Sequence, residues 1–219
     1  MKTFVISDVH GFFKELESLL DVIELDLRCD RLVMLGDYID RGPDSYLVVQ
    51  KIMELEQKFG KDHVVLLRGN HEQMAINYCE GTGSSFFYNG GDETIHDFHR
   101  NGDNLVNYLD FFKSLRTYFE DEHFIYVHAG IRSGVRLAEQ RDHDLLWIRE
   151  EFYLNPVAEE KPVIFGHTSS LFITGLSQPF VYQGRIGIDT GCYFGGCLSA
   201  VELVEGELKK VHQVRAEAA

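Results

Sequence analysis

What constrains this chain most is where its apolar runs stop. Phe4-Val5-Ile6 leads through Ser7 into Asp8-Val9-His10-Gly11. Leu32-Val33-Met34-Leu35 leads into Gly36-Asp37, and Val64-Val65-Leu66-Leu67 leads through Arg68 into Gly69-Asn70-His71-Glu72. Phe124-Ile125-Tyr126-Val127 meets His128, Val163-Ile164-Phe165 meets Gly166-His167, and Ile186-Gly187-Ile188 meets Asp189. Short apolar runs rich in β-branched residues read as buried strands. Strand ends on a sheet scaffold are where ligands collect. Asp, His and Asn gathered there without Cys suit hard or borderline divalent cations. The pattern predicts a two-metal pocket of the kind that cleaves phosphate esters.

Between these runs the first third alternates strand and helix. Phe12, Phe13, Leu16, Leu19, Leu20 and Ile23 recur at helical spacing, and Pro43 is expected to open a second helix that Gly60 ends. Such a β-α-β-α-β start favours parallel strands. Residues 80–102 carry Gly81, Gly83, Gly90, Gly91 and Gly102 and read as a loop or lip before a helix near 103–116. Further on, short strands pair as antiparallel neighbours around Gly184 and Gly206, with a helix near Leu145–Trp147. The expectation is one mixed α/β domain over 1–213, followed by a frayed tail at 214–219.

Composition excludes more than it suggests. A formal charge of −14 provides no basic footprint for nucleic acid. No run approaches the length of a membrane span, and the N-terminus enters a strand without a leader-like apolar region. Cys29, Cys79, Cys192 and Cys197 form neither a C-x-x-C pair nor a zinc spacing, which fits reduced thiols in the cytoplasm. Oligomeric state is not encoded in any feature of the sequence.

The blocks Asp8-Val9-His10-Gly11, Gly36-Asp37-Tyr38-Ile39-Asp40-Arg41-Gly42 and Gly69-Asn70-His71-Glu72 resemble the three signature motifs of the calcineurin-like metallophosphoesterases. More narrowly they are similar to its phosphoprotein phosphatase branch. With His128-Ala129-Gly130 and Gly166-His167-Thr168, the resemblance covers nearly the whole chain. Three ordered blocks are a specific signal, where a lone D-x-H-G would be weak. The resemblance implies an α/β (α+β) fold: a β-sandwich of mixed sheets flanked by helices. It implies that Asp8 and His10 hold one metal, that Asp37 bridges, and that Asn70, His128 and His167 hold the second. Mn2+ is the expected ion, with Fe2+ or Zn2+ as alternatives. Many nuclease and phosphodiesterase members read G-H-x-H in the last block. Here Ser169 stands where the second His would be, and Arg41 follows Asp40, so the comparison points to terminal phosphate groups.

Hydrolysis of a phosphate monoester can need an acceleration of up to ~10²¹-fold. A general acid supplies only about 10²–10⁴-fold, so most of the work falls to charge stabilisation and nucleophile generation. The expected mechanism is in-line attack by a hydroxide held between the metals, with His71 as general acid and Asp40 orienting its imidazole. Arg41 is the expected phosphate clamp, with Asn70 and Arg149 as further substrate contacts. Arg149, in a stretch similar to one in bacterial members, reads equally as the partner of a neighbouring Glu. Asp189 reads as structural support, and Asn89-Gly90-Gly91 reads as either an entrance loop or an ordinary turn. The expected substrate is a phosphorylated protein, chiefly phosphoserine or phosphothreonine, or a small phosphate ester. The alternative is a dinucleoside polyphosphate such as diadenosine tetraphosphate, and a non-catalytic scaffold is disfavoured because every ligand type is intact.

Overall fold

The unbroken apolar runs are strands buried on both faces. The protein is described by a computed structural model over residues 1–155 and 161–217. In chain order the strands are β1 (Lys2–Ile6), β2 (Arg31–Met34), β3 (Val64–Leu66), β4 (Tyr118–Glu120) and β5 (Ile125–Val127). They continue as β6 (Val163–Phe165), β7 (Phe180–Tyr182), β8 (Arg185–Gly187), β9 (Cys197–Val204) and β10 (Glu207–Arg215). One sheet has the order β10-β9-β1-β2-β3 and the other β4-β5-β6-β8-β7. In the first, β1, β2 and β3 run parallel; in the second, β5, β6 and β8 do. Antiparallel strands adjoin the parallel trio on one side in the first sheet and on both sides in the second.

Side chains of alternating parity explain why no polar residue interrupts the runs. Phe4, Ile6, Leu32, Met34, Val64 and Leu66 face a helical layer. Val5, Val33, Leu35 and Val65 face the second sheet and meet Tyr126, Ile164 and Ile186. Ile125, Val127, Val163 and Phe165 point outward again, toward Leu145 and Phe152. Each such side chain contributes roughly 1.5–3 kcal/mol on burial, so the inter-sheet layer and its two outer layers hold the sandwich together.

The helices are α1 (Phe13–Val22), α2 (Ser45–Phe59), α3 (Asn70–Cys79), α4 (Ser85–Tyr88) and α5 (Gly91–Arg100). They are followed by α6 (Leu109–Ser114), α7 (Asp142–Trp147), α8 (Glu150–Tyr153) and α9 (Ser170–Thr174). Leu16 and Leu19 of α1 and Val48 and Ile52 of α2 pack into the first sheet's outer layer. The hairpin turns at Gln183-Gly184 and Glu205-Gly206 have positive φ at both positions, the type I′ geometry that matches strand twist. Among the described residues no helix is long and apolar enough to cross a membrane.

Three expectations need correction. The second helix begins at Ser45 after Asp44, so Pro43 lies ahead of it. The glycine-rich stretch expected as a loop contains α5, a ten-residue helix with Asp92 and Glu93 in its first turn and His99 and Arg100 in its last. That charge order complements the helix dipole, a signal the glycines obscured. The tail expected to fray from 214 is instead paired with β9 through Arg215 of β10, and just beyond it Ala216 N donates to Gly196 O at 3.0 Å. Residues 218–219 lie outside the described ones.

Candidate active site

The parallel strands of both sheets end at one place. Beyond β1 come Asp8 and His10, beyond β2 comes Asp37, and α3 opens just past β3 with Asn70 and His71. From the second sheet, β5 delivers His128, β6 delivers His167, and the residues after β8 deliver Asp189. All of these side chains are buried, and so is Asp40. Asp37 sits at the centre. Its carboxylate oxygens lie 3.6 Å from His10 Nε2, 3.8 Å from His71 Nε2 and 3.5 Å from His128 Nε2.

Backbone contacts hold these turns against one another. His10 N donates to Asp37 O at 2.9 Å, and Gly11 N donates to Tyr38 O at 2.8 Å. Glu72, in the first turn of α3, accepts from Asp37 N, Tyr38 N and Gly69 N at 2.8–2.9 Å. A Cβ at Gly69 would collide with the Asp37 carboxylate, so glycine is required for the approach of the third turn to the second. Asp8, His10, Asp37, Asp40, Arg41 and His167 all adopt left-handed backbone, with φ between 48° and 73°. Each such non-glycine residue costs about 1 kcal/mol, a cost tolerated where surrounding structure fixes a functional turn.

The imidazoles are poised as electron-pair donors. His10 Nδ1 lies 2.9 Å from Ile39 O, and His128 Nδ1 lies 2.9 Å from Leu35 O. A proton on each Nδ1 satisfies those carbonyls and leaves Nε2 unprotonated toward Asp37. Burial lowers the pKa of His10 and His167 and brings His128 down to about 3, keeping these three rings neutral. Burial also raises Asp8 and Asp37 well above the carboxylate range, and the negative neighbours Asp189 and Asp8, respectively, push them further.

Two observations show that this donor set fits cations. His128 Nε2 stands 2.8 Å from Asn70 Oδ1, which sets two acceptors face to face. His167 Nε2 is buried without a hydrogen-bond partner. A cation between such atoms satisfies both conditions and favours the ionised carboxylates. The closest donor groups among the described residues are His10–Asp37–His71 and Asp37–His128–His167, sharing Asp37. Asp8 stands outside both groups: its oxygens receive His167 N at 3.0 and 3.1 Å and a close contact from Ser7 Oγ. His71, expected only as an acid, falls inside the first group through Nε2, while its Nδ1 lies 2.6 Å from Asp40 Oδ2.

The arginines flank this cluster. Arg41 Nη1 is 2.8 Å from His10 Nε2, and its guanidinium lies over the Tyr193 ring at 5.1 Å from the centroid. Arg149 Nη1 donates to His167 O and Thr168 Oγ1 at 3.1 Å, so the rival pairing with a neighbouring Glu is not what positions it. Asp189, read as support, accepts from Gly191 N at 2.8 Å and is pushed up to about 6 by burial. Gly90 packs against Arg41, its carbonyl accepting from Arg41 N at 3.3 Å. Sequence reasoning missed Tyr193, which no motif marks, and Thr94, whose hydroxyl meets Asp40.

The family model for calcineurin-like phosphoesterases matches residues 1–198. The chain belongs to that family. It is 38% identical to serine/threonine-protein phosphatase 1 of Salmonella typhimurium, over 91% of each chain. It is 32% identical to the symmetrical bis(5'-nucleosyl)-tetraphosphatase of Erwinia tasmaniensis, over 91% of this chain and 93% of that one. Other tetraphosphatases match over less of their length: the chain spans 57% of the one from Chromobacterium violaceum and 44% of the one from Nitrosospira multiformis. Among solved structures, a protein serine/threonine phosphatase from Saccharomyces cerevisiae superposes with a TM-score of 0.71 over 100% of this chain and 80% of that one, at 16% identity. At that identity the likeness speaks to the fold. The calcineurin-like phosphoesterase family works with a dinuclear metal centre, and the His and Asp groups around Asp37 are of a kind that could hold one.

Proposed function

We propose that the protein is a phosphomonoesterase acting on phosphoserine and phosphothreonine in proteins. Asp8, His10 and Asp37 would hold one divalent cation, and Asp37, Asn70, His128 and His167 the other. Mn2+ suits their mixed oxygen and imidazole donors, with Fe2+ and Zn2+ as alternatives. Two such cations supply charge neutralisation at the phosphoryl oxygens and acidify water for in-line attack. Arg41, beside His10, and Arg149, beside His167, bind the remaining phosphoryl oxygens. His71 gives a proton from Nε2 to the departing oxygen, while Asp40 at Nδ1 orients the ring and steadies its charge.

The observation that carries the protein-substrate reading is the cavity beside Arg41, about 260 Å³ in volume. It is lined by Glu15, Asp44 and Glu217 against Lys14 and Arg41, with Phe12, Pro43 and Tyr193 as walls. A polyphosphate chain laid there would face three carboxylates, whereas a single phosphoryl group followed by peptide would not. Arg100, on the same side, is tied to Asp97 Oδ1 at 2.6 Å and Pro43 O at 2.8 Å. The tetraphosphatase relative in Erwinia tasmaniensis supports a second reading, hydrolysis of dinucleoside tetraphosphates.

Side-by-side kcat/KM values for a phosphoserine peptide and diadenosine tetraphosphate decide between them. Preference for the peptide is expected; a large preference for the dinucleotide would overturn the reading. His71→Asn tests the acid, with a strong loss expected on the peptide and a smaller one on p-nitrophenyl phosphate, whose leaving group needs no proton. Equal losses on both would remove His71 from that role.

A further inference from the structure

We infer that Thr94, on α5, is a positioning residue that holds the Asp40 carboxylate in the orientation His71 needs to deliver its proton. The inference rests on the acid role of His71 proposed above.

Thr94 has no solvent exposure. Its Oγ1 donates to Asp40 Oδ1 at 2.6 Å and accepts from Asp40 N at 2.8 Å. The hydroxyl has a single proton, and spending it on Oδ1 leaves Oδ2 to His71 Nδ1 at 2.6 Å. One side chain therefore fixes both the plane of the carboxylate and the left-handed backbone that carries it, at φ 73°. Ser45 Oγ also accepts from Asp40 N, at 3.1 Å, but makes no bond to the Asp40 carboxylate among the described residues.

The rest of α5 makes this placement rigid. Gly90 O, at the helix cap, accepts from Arg41 N at 3.3 Å. Asp97 Oδ2 accepts from Tyr46 N at 2.7 Å. Residues 90, 94 and 97 are spaced by about one helical turn and so lie on one face. That face grips the 40–46 segment, from Asp40 and Arg41 to Tyr46 in the first turn of α2. The helix inside the glycine-rich stretch thus delivers a brace to the acid pair.

The test uses Thr94→Val, which keeps the shape and removes the hydroxyl, and Thr94→Ser, which keeps the hydroxyl. Both are assayed on the full chain loaded with Mn2+, with aryl phosphates of graded leaving-group acidity and a phosphoserine peptide. A lost hydrogen bond to a charged group is worth about 10–100-fold here. Thr94→Val should lose that much kcat on the peptide and less than about 3-fold on p-nitrophenyl phosphate, with KM and bound Mn2+ unchanged. Thr94→Ser should restore kcat to within about 3-fold of the parent. Equal losses across leaving groups, or a serine variant as slow as the valine one, overturn the inference. If Thr94→Val does not fold, Thr94→Cys, a weak donor of similar size, must show the same leaving-group bias or the inference fails.

His71→Asn run alongside separates the two ideas. A bias in His71→Asn without one in Thr94→Val removes Thr94 alone. No bias in His71→Asn removes the acid reading and takes this inference with it.

Discussion

The two sheets contribute to the pocket in different ways. The first delivers its groups in blocks, with the turns after β1, β2 and β3 bonded to one another through the backbone and through Glu72. The second delivers single side chains, and these reach across to the first sheet for their bearings. His128 Nδ1 rests on Leu35 O, and His167 N donates to the Asp8 carboxylate. One half is framed from within, and the other takes its register from it. Damage to the first half should therefore spread to the whole site, while damage to the second should stay local.

The sharpest challenge to that contrast is Asp37→Asn. Because Asp37 belongs to both donor groups, the change should lower bound metal and reduce turnover on every substrate. A loss of at least about 10³-fold is expected, the scale of removing one preorganised electrostatic group. Metal analysis and turnover on two unlike substrates check it, and retention of both metals with full activity would break the bridging assignment. Next in size is Glu72→Ala, which strands several buried N–H groups at once and should lower unfolding free energy by about 3 kcal/mol. Its counterpart in the second half, Thr190→Val, removes contacts with Cys197 O at 2.6 Å and Ser199 Oγ at 2.5 Å. That variant should lose only about 1 kcal/mol, and urea unfolding of the two should rank them in this order.

What could be read beforehand follows the same division. The blocks after β1, β2 and β3 are legible because several functional residues sit within four or five positions, among glycines that the close turns demand. The apolar runs gave their strands away because both faces are buried, as Val5 and Ile6 illustrate by facing different layers. His128 and His167 were marked by the apolar runs they follow, but their ligand role rested on family order, since a single histidine after a strand is more often a core residue. Sheet order could not be obtained from periodicity, because pairing β1 with β9 joins residues about two hundred positions apart. Thr94 was hidden for a related reason: its partner lies 54 residues away, and its own neighbourhood reads as a glycine loop.

The smallest effect lies at the edge of the second half. Arg132 holds Asp144 through bonds of 2.7 and 3.1 Å, and the Asp144 carboxyl is lowered below its ordinary range, first by that hydrogen bonding. Arg132 is half exposed, so Asp144→Asn should cost less than about 1 kcal/mol at neutral pH. A lowered folded pKa stabilises above the ordinary carboxylate range and ceases to as pH falls through the lowered value. The difference between parent and variant should accordingly shrink on acidification, as unfolding curves at neutral and acidic pH would show.

The bond from Glu217 N to Glu15 Oε1, 3.1 Å long, joins the last described residue to the first helix on the wall of the cavity beside Arg41. A fluorophore attached at position 217 would therefore stand on the wall of the cavity proposed to receive substrate. Such a label should report occupancy directly, whereas a bulky fusion at the same point would obstruct traffic without touching any reacting group.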